Sequence, residues 1–110
     1  MSSDAVNVAS LVEAVRGFYR RGWTPATSSN FSVRSAEHEH RFLVTRSGID
    51  KELIQTSDLL LVDMDGKPVL EGAPKPSAET LIHSVLYKWN GKIGAIYHTH
   101  SPSGAALSLR

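Results

Sequence analysis

The stretch of the chain that decides the fold is Ile93-Gly94-Ala95-Ile96-Tyr97-His98-Thr99-His100-Ser101. Its β-forming residues predict a strand, and apolar residues on both faces indicate that the strand is buried. His98 and His100 are two positions apart at the end of this strand, so their side chains project from one face, about 6–7 Å apart at the backbone. We therefore expect the pair to bind one metal ion, the alternative being two polar residues on the solvated face of an edge strand.

Composition restricts the kind of protein this is. The chain has 110 residues, a formal net charge of +1 and no cysteine. The length predicts one domain. The small net charge predicts no long-range electrostatic attraction for nucleic acid or an anionic membrane. The absence of cysteine excludes disulfides and cysteine-bound zinc. Neither a signal peptide nor a run long enough to span a membrane is recognisable, so we expect a cytoplasmic soluble protein.

Apolar spacing and turn signals predict the order helix, antiparallel strands, helix, strand and the beginning of a further helix. Ser3 or Asp4 is the candidate cap at the start of the first helix, which ends before Gly22. Strands are predicted over 31–34, 41–45, 59–63 and 68–70, a short helical turn within 51–58, a second helix over 78–89, and a last helix that begins at Pro102.

The second helix is predicted to begin after Ser77 as its N-cap and to end at Asn90-Gly91. Five apolar residues at helical spacing define its predicted core face: Leu81, Ile82, Val85, Leu86 and Trp89.

Glu79 is the candidate acid–base residue. It lies in the first turn of the helix that precedes the histidine strand, and the tight turn between them makes helix and strand run side by side. The start of the helix then approaches the end of the strand that carries His98 and His100. The alternative is a carboxylate that complements the helix dipole. His83, four residues after Glu79, is predicted either to partner Glu79 or to pack half-buried.

Hydroxyl-rich turns occur at 27–30, 45–48 and 75–78. Backbone N–H groups and hydroxyls in such turns bind phosphate without clusters of lysine or arginine. Together with the metal pair they suggest a phosphorylated small-molecule substrate. A second pair, His38 and His40, falls in a charged turn and is predicted to be solvated.

Four motifs, in this order, resemble the class II aldolase/adducin-type family. They are Gly22-Trp23-Thr24-Pro25-Ala26-Thr27-Ser28-Ser29-Asn30-Phe31-Ser32, Val44-Thr45-Arg46-Ser47-Gly48, Lys75-Pro76-Ser77-Ala78-Glu79-Thr80 and His98-Thr99-His100-Ser101. The first and third are similar to the methylthioribulose-1-phosphate dehydratase branch of methionine salvage rather than to sugar-phosphate aldolases.

The resemblance implies an α/β/α sandwich around a mostly antiparallel sheet, assembled as a homotetramer with active sites between subunits. It implies one zinc per subunit on His98 and His100, with Glu79 as the acid–base carboxylate. The implied reaction is dehydration of 5-methylthioribulose 1-phosphate to 2,3-diketo-5-methylthiopentyl 1-phosphate. The residues that it implies for substrate phosphate are Ser29, Asn30, Ser47, Gly48 and Ser77.

The chain departs from the family pattern in two places. Ser29 stands where members commonly carry glycine, and the family's third zinc histidine lies downstream of position 110. We therefore expect residues 1–110 to form a single, incomplete class II aldolase-like domain, in which 105–110 begin a helix.

Three other functions stay open. The chain could be a class II sugar-phosphate aldolase or epimerase, or a non-catalytic, adducin-like binding or assembly module without metal. His-Thr-His-Ser alone also resembles the metal strand of polymerase-and-histidinol-phosphatase-type metallohydrolases, where that strand opens the domain.

Overall fold

The computed structural model describes residues 3–21, 30–46, 54–72, 79–98 and 105–109. The helices are α1 (Ser3–Arg20) and α2 (Thr80–Trp89), with a short 3-10 turn at Thr56–Asp58. The strands are β1 (Asn30–Arg34), β2 (Arg41–Thr45), β3 (Leu59–Asp63), β4 (Ile93–His98) and β5 (Ala105–Leu109). Neither described helix is both long and apolar enough to cross a membrane.

The five strands form one sheet in the order β3-β2-β1-β4-β5, and every neighbouring pair is antiparallel. Helix α1 packs on one face of this sheet and α2 on the other, which confirms the predicted α/β/α sandwich. The core under α1 comprises Val8, Leu11, Val12, Val15, Phe31, Val33, Ile54, Leu59 and Ala95. The core under α2 comprises Phe42, Val44, Val62, Tyr87, Ile93 and Ile96.

The first helix begins at Ser3, so Asp4 is not its cap. Asp4 lies inside α1, and its carboxylate accepts hydrogen bonds from the Ser35 hydroxyl (2.6 Å) and the Ala36 N–H (2.7 Å). It therefore ties the start of α1 to the turn between β1 and β2.

Two predicted elements are wrong. Residues 105–109 form strand β5 rather than a helix, because the open edge of β4 offers unpaired backbone groups that a neighbouring segment can satisfy. The helix propensity of alanine and leucine is a weaker bias than this pairing. Residues 68–70 form no strand; a single bridge joins Pro68 to Val62 after the Asp65-Gly66 turn.

Helix α2 ends at Trp89 as predicted, but it begins at Thr80, so that Glu79 rather than Ser77 is its N-cap residue. Its predicted core face is also wrong. Its buried residues are Thr80, His83, Ser84 and Tyr87. Four of the five predicted core residues are exposed: Leu81 (62%), Ile82 (47%), Val85 (65%) and Trp89 (71%). The helix is rotated because the strand beneath it presents Asn30, Ser32 and Arg34, whose polar groups need partners when buried.

Arg34 fixes the far end of α2. Its Nε donates to the Ile93 carbonyl (2.7 Å), and one Nη donates to the carbonyls of Tyr87 (3.0 Å) and Asn90 (3.1 Å). The guanidinium also lies 4.7 Å from the centre of the Tyr87 ring. These contacts bind the last turn of α2 to the start of β4 and so set how the helix lies along the strand.

His83 is the most deeply buried polar residue on α2. Its side chain is fully buried, stacked on Phe42 with the ring planes 11° apart, and its Nδ1 lies 2.5 Å from the Ser32 hydroxyl. Burial, and secondly the nearby His98, lower the pKa of His83 from 6.5 to about 3. The imidazole is therefore neutral at physiological pH.

We expect the free energy of unfolding to fall on acidification because His83 resists protonation. Between a native pKa of about 3 and the unfolded value of 6.5, the unfolded chain binds a proton that the native chain excludes. From about pH 7.5 to about pH 5 this costs about 2 kcal/mol. Urea unfolding of the wild type and of His83→Gln across that range isolates the contribution of His83 protonation to the free energy of unfolding. Equal losses in the two proteins would show that His83 is protonated in the native state.

Candidate metal and acid–base site

The site forms where β1 and β4 pair. Asn30 lies opposite His98 and Ser32 opposite Ile96 in this antiparallel register. Residues directly opposite each other point to the same face, so Asn30, Ser32 and His98 all project towards α2. The first residues of α2 lie over the same end of the sheet, and Glu79 occupies the N-cap position.

The structure brings Glu79 and His98 together, as the helix–turn–strand arrangement predicts. Glu79 Oε2 lies 2.7 Å from His98 Nδ1, and both side chains are about one-quarter to one-third exposed (34% and 22%). An ionised carboxylate only accepts hydrogen bonds, so Nδ1 of His98 carries the proton. The lone pair of neutral His98 is then on Nε2.

Asn30 is the third member of the group, although the sequence suggested it only as a phosphate contact. Its side chain is 2% exposed; the amide nitrogen donates to Glu79 Oε2, and the amide oxygen contacts His83 Nε2. The amide nitrogen is also 3.4 Å from His98 Nδ1, but both atoms are donors. Two donors therefore converge on one oxygen of Glu79.

Ser32 and Tyr87 extend the group into the core, and neither was predicted from the sequence as a site residue. The Tyr87 hydroxyl lies 2.7 Å from the Ser32 hydroxyl, which in turn contacts His83. A signal was present: Glu79 at the N-cap of α2 and His83 and Tyr87 within the helix recur at intervals of four. Asn30 and Ser32 likewise alternate on β1.

The remaining residues that the sequence singled out are not part of this group. Ser29, Ser47, Gly48, Ser77 and His100 lie outside the described residues. His38 and His40 are exposed in the turn between β1 and β2, which confirms that this second pair is solvated.

The chemistry of His98 fits a metal ligand. Histidine ligands commonly donate their second ring N–H to a carboxylate, which fixes the tautomer and orients the ring. Glu79 does this at Nδ1, so a metal would bind at Nε2. Within the part of the chain that the structure describes, no group of three His, Cys, Asp or Glu side chains could hold a metal, and His100 is outside it.

Comparison with known proteins agrees with this architecture. The model of the Class II Aldolase and Adducin N-terminal domain matches residues 9–110. A methylthioribulose-1-phosphate dehydratase from Pseudomonas aeruginosa (strain LESB58) is 49% identical over 98 residues, covering 89% of this chain and 46% of the relative. The chain thus spans about half the length of the curated relatives it matches.

Solved structures show the same fold. An L-fuculose 1-phosphate aldolase superimposes with a TM-score of 0.76 at 31% identity, covering 93% of this chain and 46% of the aldolase. L-fuculose 1-phosphate aldolase from Glaciozyma antarctica PI12 gives 0.75 at 33% identity, covering 86% and 39%. With this fold and a family match over most of its length, the chain belongs to the class II aldolase and adducin N-terminal domain family.

Proposed function

We propose that this chain carries the acid–base residue and two zinc ligands of a methylthioribulose-1-phosphate dehydratase. The observation that supports this most directly is the 2.7 Å contact between Glu79 Oε2 and His98 Nδ1. It joins a carboxylate suited to proton transfer to a histidine whose tautomer suits a metal ligand. The 49% identity to a methylthioribulose-1-phosphate dehydratase supports this reaction over others in the family.

Dehydration of 5-methylthioribulose 1-phosphate removes a proton from C3, next to the ketone, and the hydroxyl from C4. The hydroxyl leaves with a proton as water, and the resulting enol becomes the second ketone of the product. Glu79 would take the C3 proton or protonate the departing C4 hydroxyl, since a partly exposed carboxylate can exchange protons with a substrate. The hydrogen bonds from Asn30 and His98 hold it in place.

His98 and His100 would hold the zinc ion. When bound, zinc polarises the substrate's ketone and makes the neighbouring C–H more acidic. The chain's own contribution is to present Nε2 of His98 in the correct tautomer, through Glu79. Zinc and substrate would meet at the end of β4, in a reducing, cytoplasmic compartment consistent with the lack of cysteine.

The phosphate contacts at Ser29, Asn30, Ser47, Gly48 and Ser77 stay predictions. The side-chain amide of Asn30 already bonds Glu79 and His83, so a contact from this residue would come from its backbone or from an altered side chain. The homotetramer also stays a prediction, which light scattering of the purified chain can check.

A sugar-phosphate aldolase is the second candidate, favoured by the 31% identity to an L-fuculose 1-phosphate aldolase. Both reactions begin from a phosphorylated ketose. They differ in the bond broken, since an aldolase cleaves C3–C4 and a dehydratase breaks the C4–O bond. Product analysis with each substrate separates them. A non-catalytic module would turn over neither.

We expect zinc binding to depend on His98. Mass spectrometry of the purified wild type should show about one zinc per chain, and His98→Ala should reduce this at least about tenfold. Loss of a residue that only hydrogen-bonds a metal ligand typically lowers metal affinity by about that factor, so loss of the ligand itself should do so too. His38→Ala is the matched control, since it removes a histidine from an exposed His-x-His pair. Equal zinc loss in the two variants, or none in either, contradicts the assigned ligand.

We expect Glu79→Gln to lower dehydratase kcat about 10²–10⁴-fold, the usual contribution of a general acid or base. Glutamine preserves the size of the side chain but cannot take up a proton. Formation of the diketone from 5-methylthioribulose 1-phosphate measures the effect. Glu39→Gln, in the exposed turn, should leave kcat unchanged, and full activity in Glu79→Gln would refute the acid–base role.

A further inference from the structure

The hydrogen bonds behind Glu79 point to a role for His83. We propose that His83 is a positioning residue that holds the Asn30 amide in the one orientation able to donate to Glu79. The proposal rests on the acid–base role of Glu79 proposed above, and it adds a residue that does not itself touch the substrate.

The direction of each hydrogen bond follows from the carboxylate. Ionised Glu79 only accepts, so the NH₂ of Asn30 must face it, and the Asn30 oxygen must then face His83. That oxygen needs a donor, which places the proton of neutral His83 on Nε2. Nδ1 of His83 is left as an acceptor.

The hydrogen bonds of Ser32 and Tyr87 continue this series in the same donor-to-acceptor direction. The Ser32 hydroxyl lies 2.5 Å from His83 Nδ1 and must donate to it, so it accepts from the Tyr87 hydroxyl at 2.7 Å. Every donor therefore points from Tyr87 towards Glu79. Turning the Asn30 amide over would set its oxygen against the carboxylate and its NH₂ against the Nε2–H of His83.

Burial protects this series of hydrogen bonds from competition with water. Ser32 and His83 are fully buried, and Asn30 and Tyr87 are each 2% exposed. Bulk water therefore has little access to replace a lost partner or to stabilise the inverted amide. The neutral state of His83, imposed by the same burial, keeps one ring nitrogen as a donor and the other as an acceptor. The imidazole thus holds Asn30 in the orientation that the carboxylate selects, because reversing the amide would also require His83 to exchange tautomers and the Ser32 hydroxyl to turn.

Two substitutions separate positioning from packing. In His83→Gln the longer side chain can place an amide NH₂ near the former Nε2 position, so the donor to Asn30 is retained. In His83→Asn the shorter side chain can reach Ser32 but not Asn30. Both variants remove the imidazole and its stacking on Phe42. A packing role predicts damage to both, whereas positioning predicts rescue by glutamine.

The first test reads the tautomer directly in the ¹⁵N-labelled full chain at neutral pH. Long-range ¹H–¹⁵N correlation spectra should show His83 protonated at Nε2 and unprotonated at Nδ1. The Asn30 NH₂ signals should be protected from solvent exchange in the wild type and in His83→Gln and lose that protection in His83→Asn. A proton on Nδ1 of His83, or protected Asn30 signals in His83→Asn, overturns the proposal.

Kinetics then separate this proposal from the proposed function. If the wild type forms the diketone, His83→Asn should lower kcat about 10–100-fold, the usual cost of losing an outer partner, with KM unchanged and most of kcat retained in His83→Gln. Equal losses of kcat in both variants would leave His83 a packing residue. A wild type with no dehydratase turnover refutes the proposed function, while the tautomer and exchange measurements still decide whether His83 orients Asn30.

Discussion

The antiparallel register between β1 and β4 is the constraint on which the site depends. Because Asn30 lies opposite His98, both side chains leave the sheet on the face that α2 covers. A slip of one residue in β4 would turn His98 to the opposite face, under α1 and away from Glu79. The apolar side chains of β4 oppose such a slip, since Ile96 is buried beneath α2 and Ala95 beneath α1.

The face that α2 turns towards the sheet is largely polar, although the sheet beneath it is mainly apolar. Thr80, His83 and Ser84 face inwards, whereas four apolar residues of the helix are exposed: Leu81, Ile82, Val85 and Trp89. Buried polar groups lose their bonds to water and must find partners in the protein. Along β1, such groups belong to Asn30, Ser32 and Arg34. The observed orientation of α2 provides hydrogen bonds to them, whereas the predicted orientation would have buried the leucines and the tryptophan of the helix. The same hydrogen bonds therefore stabilise α2 on the sheet and orient the side chains of the site.

The local elements could be predicted from the sequence, because their signals are local. The two long helices, the strands at 31–34, 41–45 and 59–63, and the approach of Glu79 to His98 all follow from spacing and turn chemistry. The inward face of α2 could not, since it depends on side chains some fifty positions away on β1. The strand at 105–109 could not either, because pairing with β4 outweighs alanine and leucine propensity.

The contact between Glu79 and His98 gives one carboxylate two tasks that must be compatible. As a hydrogen-bond acceptor it fixes the His98 tautomer, which requires a negative charge; as an acid–base residue it must take up and release a proton. A protonated Glu79 would weaken its hold on His98, so the fixed donor from Asn30 matters most at that moment. Reversing the amide would require His83 to exchange tautomers and the buried Ser32 hydroxyl to turn, which opposes a change of orientation when the charge of Glu79 changes. The buried hydrogen bonds beneath α2 thus help the site to keep its geometry while Glu79 takes up and releases a proton.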